Sequence, residues 1–220
     1  MAQDGVTRAS CGETERRAPN AGRAIVAFDF DGTLTIRDSF TAFLRWRAGP
    51  IRHALGMARL APAALRYLID RDRGRIKAAA VREFLAGLTR DELRRAAESF
   101  AAEQSAAMFR PDALQTWRDW RDRGALMVIV TASPSDVVRP FAERLQAEAL
   151  IGTELAFDAQ GRLTGGFVTP NCRGPEKVAR LEARFGAGVR LAAAYGDTGG
   201  DREMLAIAET AGFQVFTARP

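Results

Sequence analysis

A chain of 220 residues that is 47% hydrophobic has material for one full core and a modest insertion, and suits a globular protein. Its net charge of +5 permits an acidic partner without selecting one, because most of its many arginines belong on solvated helix faces. Two cysteines, Cys11 and Cys172, exclude a disulfide framework and suit a reducing cytoplasm; no apolar run is long enough to span a membrane, and the N-terminus lacks the apolar core of a signal peptide.

Residues 1–23 are polar, small and basic without periodicity, and are expected to form a disordered tail. Ile25-Val26-Ala27-Phe28 then reads as a strand buried on both faces. Where it runs out, Asp29 and Asp31 stand two residues apart, followed by Gly32 and Thr33. A pair of acids at the lip of an apolar strand is costly unless a cation or a chemical task holds it there. The cation that suits such oxygens is Mg²⁺, held by one or two carboxylates together with substrate phosphate. A plain helix cap would need a single Asp.

From Asp38 to about Arg110 the pattern is helical. Ser39 to Trp46 carries apolar residues at helical spacing, Arg75 to Leu88 closes near Gly87, and Thr89 opens a helix that runs to Met108. Between them Ile51 to Ile69 is largely apolar, interrupted by Pro62, with Arg52, Arg59 and Arg66 seven residues apart. Such a stretch is either an interfacial membrane helix or a packed helix whose arginines reach out to solvent, and the packed reading is preferred. His53, the only histidine, has no acid near it in sequence and is read as a surface residue.

Pro111 opens a helix that ends near Gly124, with Trp117 and Trp120 assigned to the core. Leu126 to Val130 is a second buried strand ending in Thr131-Ala132-Ser133-Pro134. A hydroxyl at a strand's carboxyl end, followed by a helix N-terminus, makes a phosphate site; Thr131 and Ser133 can divide phosphate binding and helix capping between them. Glu154 to Thr169 reads as a hairpin turning at Asp158 to Gly161. Lys177 falls in the first turns of the next helix, where the dipole prefers an acid, so a nearby anion cluster explains it better; Arg173 competes for that role. Val189 to Tyr195 is a further core strand, ending in Gly196-Asp197-Thr198-Gly199-Gly200-Asp201, where two acids flank glycines that let backbone approach an ion. Gly212 to Thr217 is expected to add a last strand.

DxDGT at Asp29, the strand-ending Thr131 or Ser133, Lys177 and the GDTxxD of Asp197 and Asp201 together resemble the four motifs of the haloacid dehalogenase-like hydrolase superfamily. The resemblance runs from about Ile25 to the C-terminus. It implies an α/β fold, a Rossmann-like doubly wound parallel sheet with an inserted all-helical cap, divided as core over 24–36 and 111–220 and cap over 37–110. It further implies a Mg²⁺-dependent phosphomonoester phosphatase. Asp29 would be the nucleophile that forms an aspartyl-phosphate, and Asp31 the acid and then the base. Two residues apart on an extended chain, these side chains point the same way. Mg²⁺ would be held by Asp29, Asp31 through its backbone carbonyl, and Asp197, with Asp201 as a ligand or a support. Gly32, Thr131, Ser133, Lys177, Arg173 and Asp38 would contact substrate.

Within the superfamily, the helical cap is similar to that of phosphoserine phosphatases and of bacterial phosphatidylglycerophosphate phosphatases. Three departures count against phosphoserine: Asp38 stands where those enzymes have Glu, Val81 beside Arg82 stands where they have a substrate-gripping Arg, and Gly200 precedes Asp201. Asp38-Ser39-Phe40, the Thr-x-Ser-Pro run at Thr131 and the Cys-x-Gly-x-Glu-Lys run at Cys172 resemble the lipid phosphatases instead. The expected substrate is therefore a phosphorylated lipid or small molecule, with a phosphoserine phosphatase-like enzyme or a phosphotransferase as alternatives. A non-catalytic membrane or nucleic-acid binder ranks last, and no nucleic acid is expected. The expected location is cytoplasmic, with a peripheral contact at the inner membrane surface through 51–69 left open.

Overall fold

The computed structural model describes residues 22–70 and 73–220. All but the end of the tail expected over 1–23 lies outside the described residues, as does Cys11. Arg23 belongs to the fold: its guanidinium donates to the carbonyls of Gly124 and Ala125 and pairs with Glu148 at 2.6 Å.

Five parallel strands form the central sheet: β1 (Ile25–Phe28), β2 (Leu126–Pro134), β3 (Ala149–Thr153), β6 (Leu191–Gly196) and β7 (Ala208–Phe213), in the order β3-β2-β1-β6-β7. The chain leaves β1 toward β2 and β3, then returns to β1's other side for β6 and β7. The direction of winding reverses at β1, and a crevice opens outside its carboxyl end. Alternate residues serve opposite faces. Val26, Phe28, Met127, Ile129, Ala193 and Tyr195 join one core, while Ala27, Leu126, Val128, Val130 and Ala194 join another. The first core is covered by α1 (Ser39–Arg59), α3 (Arg73–Leu85), α4 (Arg90–Met108), α5 (Pro111–Asp122) and α6 (Ser135–Arg144), and the second by α7 (Pro175–Phe185) and α8 (Arg202–Ala206). Burial on both faces is why these strands read as continuous apolar runs. The α/β doubly wound expectation is met.

Two strands differ from expectation. β3 has no counterpart in the sequence reading, because its short half-buried run at the sheet edge carries little signal. The last strand lies at Ala208–Phe213 and meets the expected Gly212–Thr217 only at Gly212 and Phe213; Phe216, which suggested the later span, acts outside the ladder by packing on Phe28 and Tyr195. Trp117 and Trp120 are structural, donating to the Leu145 carbonyl at 3.0 Å and the Tyr195 hydroxyl at 2.9 Å.

α1, α2 (Ala61–Asp70), α3 and α4 all lie between β1 and α5. Gly49 (φ 73°, ψ 165°) breaks α1 into two segments, since Pro50 disfavours a helical residue before it and Gly tolerates the positive φ. The roots of this helical insertion share the first core. Phe43 of α1 meets Phe100 of α4, Phe100 meets Phe141 of α6, and Phe141 meets Phe30 and Phe109, all with centroids 5.5–5.8 Å apart and rings tilted edge to face.

The antiparallel hairpin of β4 (Leu155–Phe157) and β5 (Leu163–Phe167) clips onto the insertion. Leu163 donates to the Leu88 carbonyl at 2.8 Å and accepts from Gly87 N–H at 2.9 Å. Gly165, at φ 89°, lies so close to α3 that a Cβ there would sit 2.9 Å from Arg82 Cα. Gly165→Ala combines backbone strain with a collision against main chain, and an expected loss of about 2–3 kcal/mol follows. Urea denaturation checks it; an unchanged midpoint would show that α3 does not bear on the hairpin.

Candidate active site

The carboxyl end of β1 delivers the acid pair. Asp29 N–H donates to the Tyr195 carbonyl of β6 at 2.8 Å, which continues the sheet by one bond and fixes the carboxylate at the crevice. The chain then turns: Thr35 N–H and Oγ1 both bond the Phe30 carbonyl, at 3.0 and 3.1 Å. Gly32 adopts φ 88°, and any Cβ there would collide with the Asp197 carboxylate. The first acidic loop therefore needs a glycine so that the last one can approach it.

Asp31 uses both oxygens. Oδ1 accepts from Ser39 N–H at 2.6 Å and Oδ2 from Ser133 Oγ at 2.5 Å. Burial first, then the charge of Asp38, push its carboxyl up to about 6. Asp38 caps α1 by accepting from Thr41 N–H at 2.7 Å. Thr131 is buried, with its Oγ1 accepting from Ser133 N–H at 3.0 Å, and neither hydroxyl lines the cavity. Ser133 holds Asp31 and does not cap α6.

Lys177, in the first turn of α7, is buried and spends all three ammonium protons: on Asp29 Oδ1 at 2.6 Å, Asp201 Oδ1 at 2.7 Å and the Val130 carbonyl at 2.6 Å. That carbonyl is available because β2 loses register with β3 between Val130 and Pro134. Burial works against the lysine's charge, but Asp29 and Asp201 outweigh it and hold the group above its ordinary range. Burial lifts Asp29 to about 7 despite the lysine, with Asp201 and Asp31 adding to the rise. Asp201 goes the other way: burial is overcome by Lys177 and by Thr198, whose N–H and hydroxyl both reach Oδ2 at 2.9 Å. Asp197 is raised by burial and by the charge of Asp201.

Asp29, Asp197 and Asp201 bring one oxygen each within 4.8 Å of one another, a group that excludes the Asp31 carboxylate. Three clustered carboxylates facing one ammonium leave an excess of negative charge. Hard oxygen donors in that number fit a divalent cation such as Mg²⁺, which would relieve the repulsion that raises Asp197. Asp201 has both oxygens engaged within the protein and so braces the loop, whereas among the described residues the Asp197 carboxylate has only the 3.2 Å contact from Thr33.

A cavity of about 290 Å³ opens over this cluster. Asp29, Asp31, Gly32, Asp38, Lys177, Arg173, Asp197 and Asp201 line it, as the sequence led one to expect; Arg37, Lys77, Asn171 and Thr198 line it unforeseen. Lys77, on α3, donates to the Ala132 carbonyl at 2.9 Å and so links the insertion to the last residues of β2. Arg37, next to Asp38, carried a local hint; Lys77 carried none. Arg173 bonds Thr198 Oγ1 at 3.3 Å and lies over Gly200, where a Cβ would sit 2.5 Å from its Cγ and Cζ. The glycine before Asp201 is what makes room for this guanidinium. His53 lies elsewhere, stacked on Phe84 with centroids 5.6 Å apart.

A family model described as haloacid dehalogenase-like hydrolase matches residues 26–206. The chain is 55% identical over 196 residues to Protein CicA of Caulobacter vibrioides, covering 89% of this chain and 88% of that one. Among solved structures it is similar to a protein of unknown function from Bordetella pertussis Tohama I, at TM-score 0.71 and 26% identity over 84% of this chain and 86% of the other. It also shares its fold with a phosphoserine phosphatase solved as a phospho-aspartyl intermediate analogue, at TM-score 0.55 and 20% identity over 86% and 85% of the two chains.

Proposed function

Because the chain belongs to the haloacid dehalogenase-like hydrolase family, we propose that it is a Mg²⁺-dependent phosphomonoester phosphatase that works through an aspartyl-phosphate on Asp29. The observation that carries the reading is the arrangement around Lys177, which binds Asp29 Oδ1 and Asp201 together at the sheet's point of reversal, with Asp29 lining the cavity.

In the first step Asp29 attacks phosphorus and the ester oxygen leaves. Asp31, poised near 6, supplies the proton that oxygen needs. In the second step water attacks the acyl phosphate, and Asp31 takes its proton, regenerating Asp29 and releasing orthophosphate. Lys177 holds Asp29 in position and counters charge on the phosphoryl oxygens, and N–H groups near Gly32 add donors. Mg²⁺, held by Asp29, Asp197 and the Asp31 carbonyl and supported by Asp201, would supply charge neutralisation for the phosphoryl group.

For the substrate we propose a phosphorylated lipid of the phosphatidylglycerophosphate type. Outside the acid cluster the cavity lining adds Arg37 and Arg173 against Asp38, which favours a leaving group that is itself anionic. A 290 Å³ cavity accommodates a phosphoryl group and a few further atoms, so the remainder of a lipid would project from the mouth. The helical insertion acts in this reading as a cap over the site.

A phosphate-release assay with phosphoserine, phosphatidylglycerophosphate in mixed micelles, histidinol phosphate and sugar phosphates tests both levels. The expected result is release that needs Mg²⁺, stops with EDTA and is fastest on the lipid. Preference for phosphoserine would overturn the substrate class, and no release from any monoester would overturn the phosphatase. Asp31→Asn is expected to slow alkyl phosphates by about 10²–10⁴-fold, and the first step on p-nitrophenyl phosphate far less, because nitrophenolate leaves without a proton. A pre-steady-state burst of nitrophenolate from this variant checks the division of labour.

A further inference from the structure

Two successive helical segments of the insertion turn the same aliphatic pattern toward solvent. Beyond the break at Gly49, α1 exposes Ile51, Ala54, Leu55 and Ala58; α2 exposes Ala61, Ala64, Leu65 and Leu68. Both quartets are spaced i, i+3, i+4, i+7, the stripe that a globular protein's helix ordinarily turns to its core. Here the packed side is the opposite one. Gly56 and Leu60 are buried, with Gly56 against the Phe84 ring of α3, and on α2 Ala63 and Tyr67 are the half-buried residues. Ile51 is 78% exposed, Leu65 67% and Leu68 61%, and Ile69 beside them reaches 84%. A continuous apolar face of this kind marks a contact with an apolar phase.

Its charge selects that phase. Between Pro50 and Asp70 the charged residues are Arg52, Arg59 and Arg66 with one acid, Asp70, at the end of α2, so the stretch is net positive. Arg52 and Arg59 share one carboxylate, Glu83, at 2.7 and 3.1 Å, so the pair stays net positive. A second copy docked face to face would bring two net-positive stretches together. An anionic bilayer meets both the aliphatic stripe and the basic flank. No helix among the described residues is long and apolar enough to cross a membrane, which leaves its surface.

We propose that the outer face of 50–69 docks on an anionic phospholipid bilayer, its aliphatic quartets among the acyl chains and its arginines at headgroup level. The docking stands independently of the phosphatase reading, and it brings the cavity to the lipid. Of the eight steps along the chain from Ile69 to Lys77 the last four lie in α3, so the two Cα atoms are at most about 20 Å apart.

Vesicle flotation at low ionic strength tests it, comparing phosphatidylglycerol-containing with pure phosphatidylcholine vesicles. The wild type is expected to float with the anionic vesicles, with recovery reduced by 1 M salt as the arginine contribution is screened. The variant Ile51→Gln/Leu55→Gln/Leu65→Gln/Leu68→Gln is expected to bind at least about a hundredfold more weakly, with circular dichroism and melting unchanged to establish that it folds. Failure of the wild type to float, equal recovery with both vesicle types, or undiminished binding by the folded variant would each overturn the proposal. So would a lipid-independent dimer in sedimentation that the variant abolishes, because that assigns the face to a second copy.

Discussion

Asp29→Asn is expected to lose on the order of 10⁴-fold or more in phosphate release while keeping the fold. Asn matches Asp in shape and keeps an oxygen for the Lys177 ammonium, but an amide cannot attack phosphorus to form an acyl phosphate. Stability separates this loss from unfolding. Burial and two neighbouring carboxylates raise the Asp29 carboxyl to about 7 in the metal-free protein, against about 4 in the unfolded chain. Between those values the native state holds a proton that the unfolded chain has released, so the metal-free enzyme loses stability as pH rises from about 4 to 7. The variant lacks that group and should show a shallower decline over the same window. Melting in EDTA across this range, beside malachite-green assays with Mg²⁺, provides both readings. Wild-type rates on p-nitrophenyl phosphate would remove Asp29 from the role of nucleophile.

Lys177→Met should be the most destabilising single change near the site. The methionine fills similar volume but strands Asp29, Asp201 and the Val130 carbonyl in a buried place, and breaking one side of a buried ion pair costs about 3–5 kcal/mol. For a domain of this size that is a fall in melting temperature of roughly ten degrees or more. The pairing makes a sharper claim than the loss alone. Adding Asp29→Asn to Lys177→Met removes one stranded charge, so the double variant should melt above the single one, a non-additivity visible only if the two groups touch energetically. Both variants melting within a degree or two of wild type would show that the lysine does not hold the acids together.

Most of the candidate site was legible in the chain because its parts lie at strand ends, where local spacing encodes direction. Asp29 and Asp31 follow an apolar run, and Asp197 and Asp201 follow another, so the sheet's topology alone brings them together. What stayed hidden depends on packing across the fold. Lys77 reaches the cavity because α3 leans on β5 at Gly165, and nothing within ten residues of Lys77 announces that contact. The roles of Thr131 and Ser133 were hidden for a similar reason. A hydroxyl after a strand suggests an anion, yet which way it turns depends on Asp31, a hundred residues earlier in the chain. The last strand was misplaced because Phe216 and Val215 advertise a ladder more loudly than Ala208-Glu209-Thr210, which actually forms it.

The chain of edge-to-face phenylalanines bears on how such an enzyme can be rebuilt. Exchanging 37–110 as a cassette for another helical insertion would cut between Phe43, Phe100 and Phe109 on one side and Phe30 and Phe141 on the other. Every such chimaera would have to re-solve an aromatic jigsaw at the seam. The transferable module is smaller, from Gly49 to Leu88, and the fastenings to preserve include the Arg82–Gly165 crossing, the bonds of Gly87 and Leu88 to Leu163 and the Lys77 bond to the Ala132 carbonyl. Evolution and protein engineering alike would then find new substrates most readily by remodelling the outer helices on an unaltered aromatic plinth.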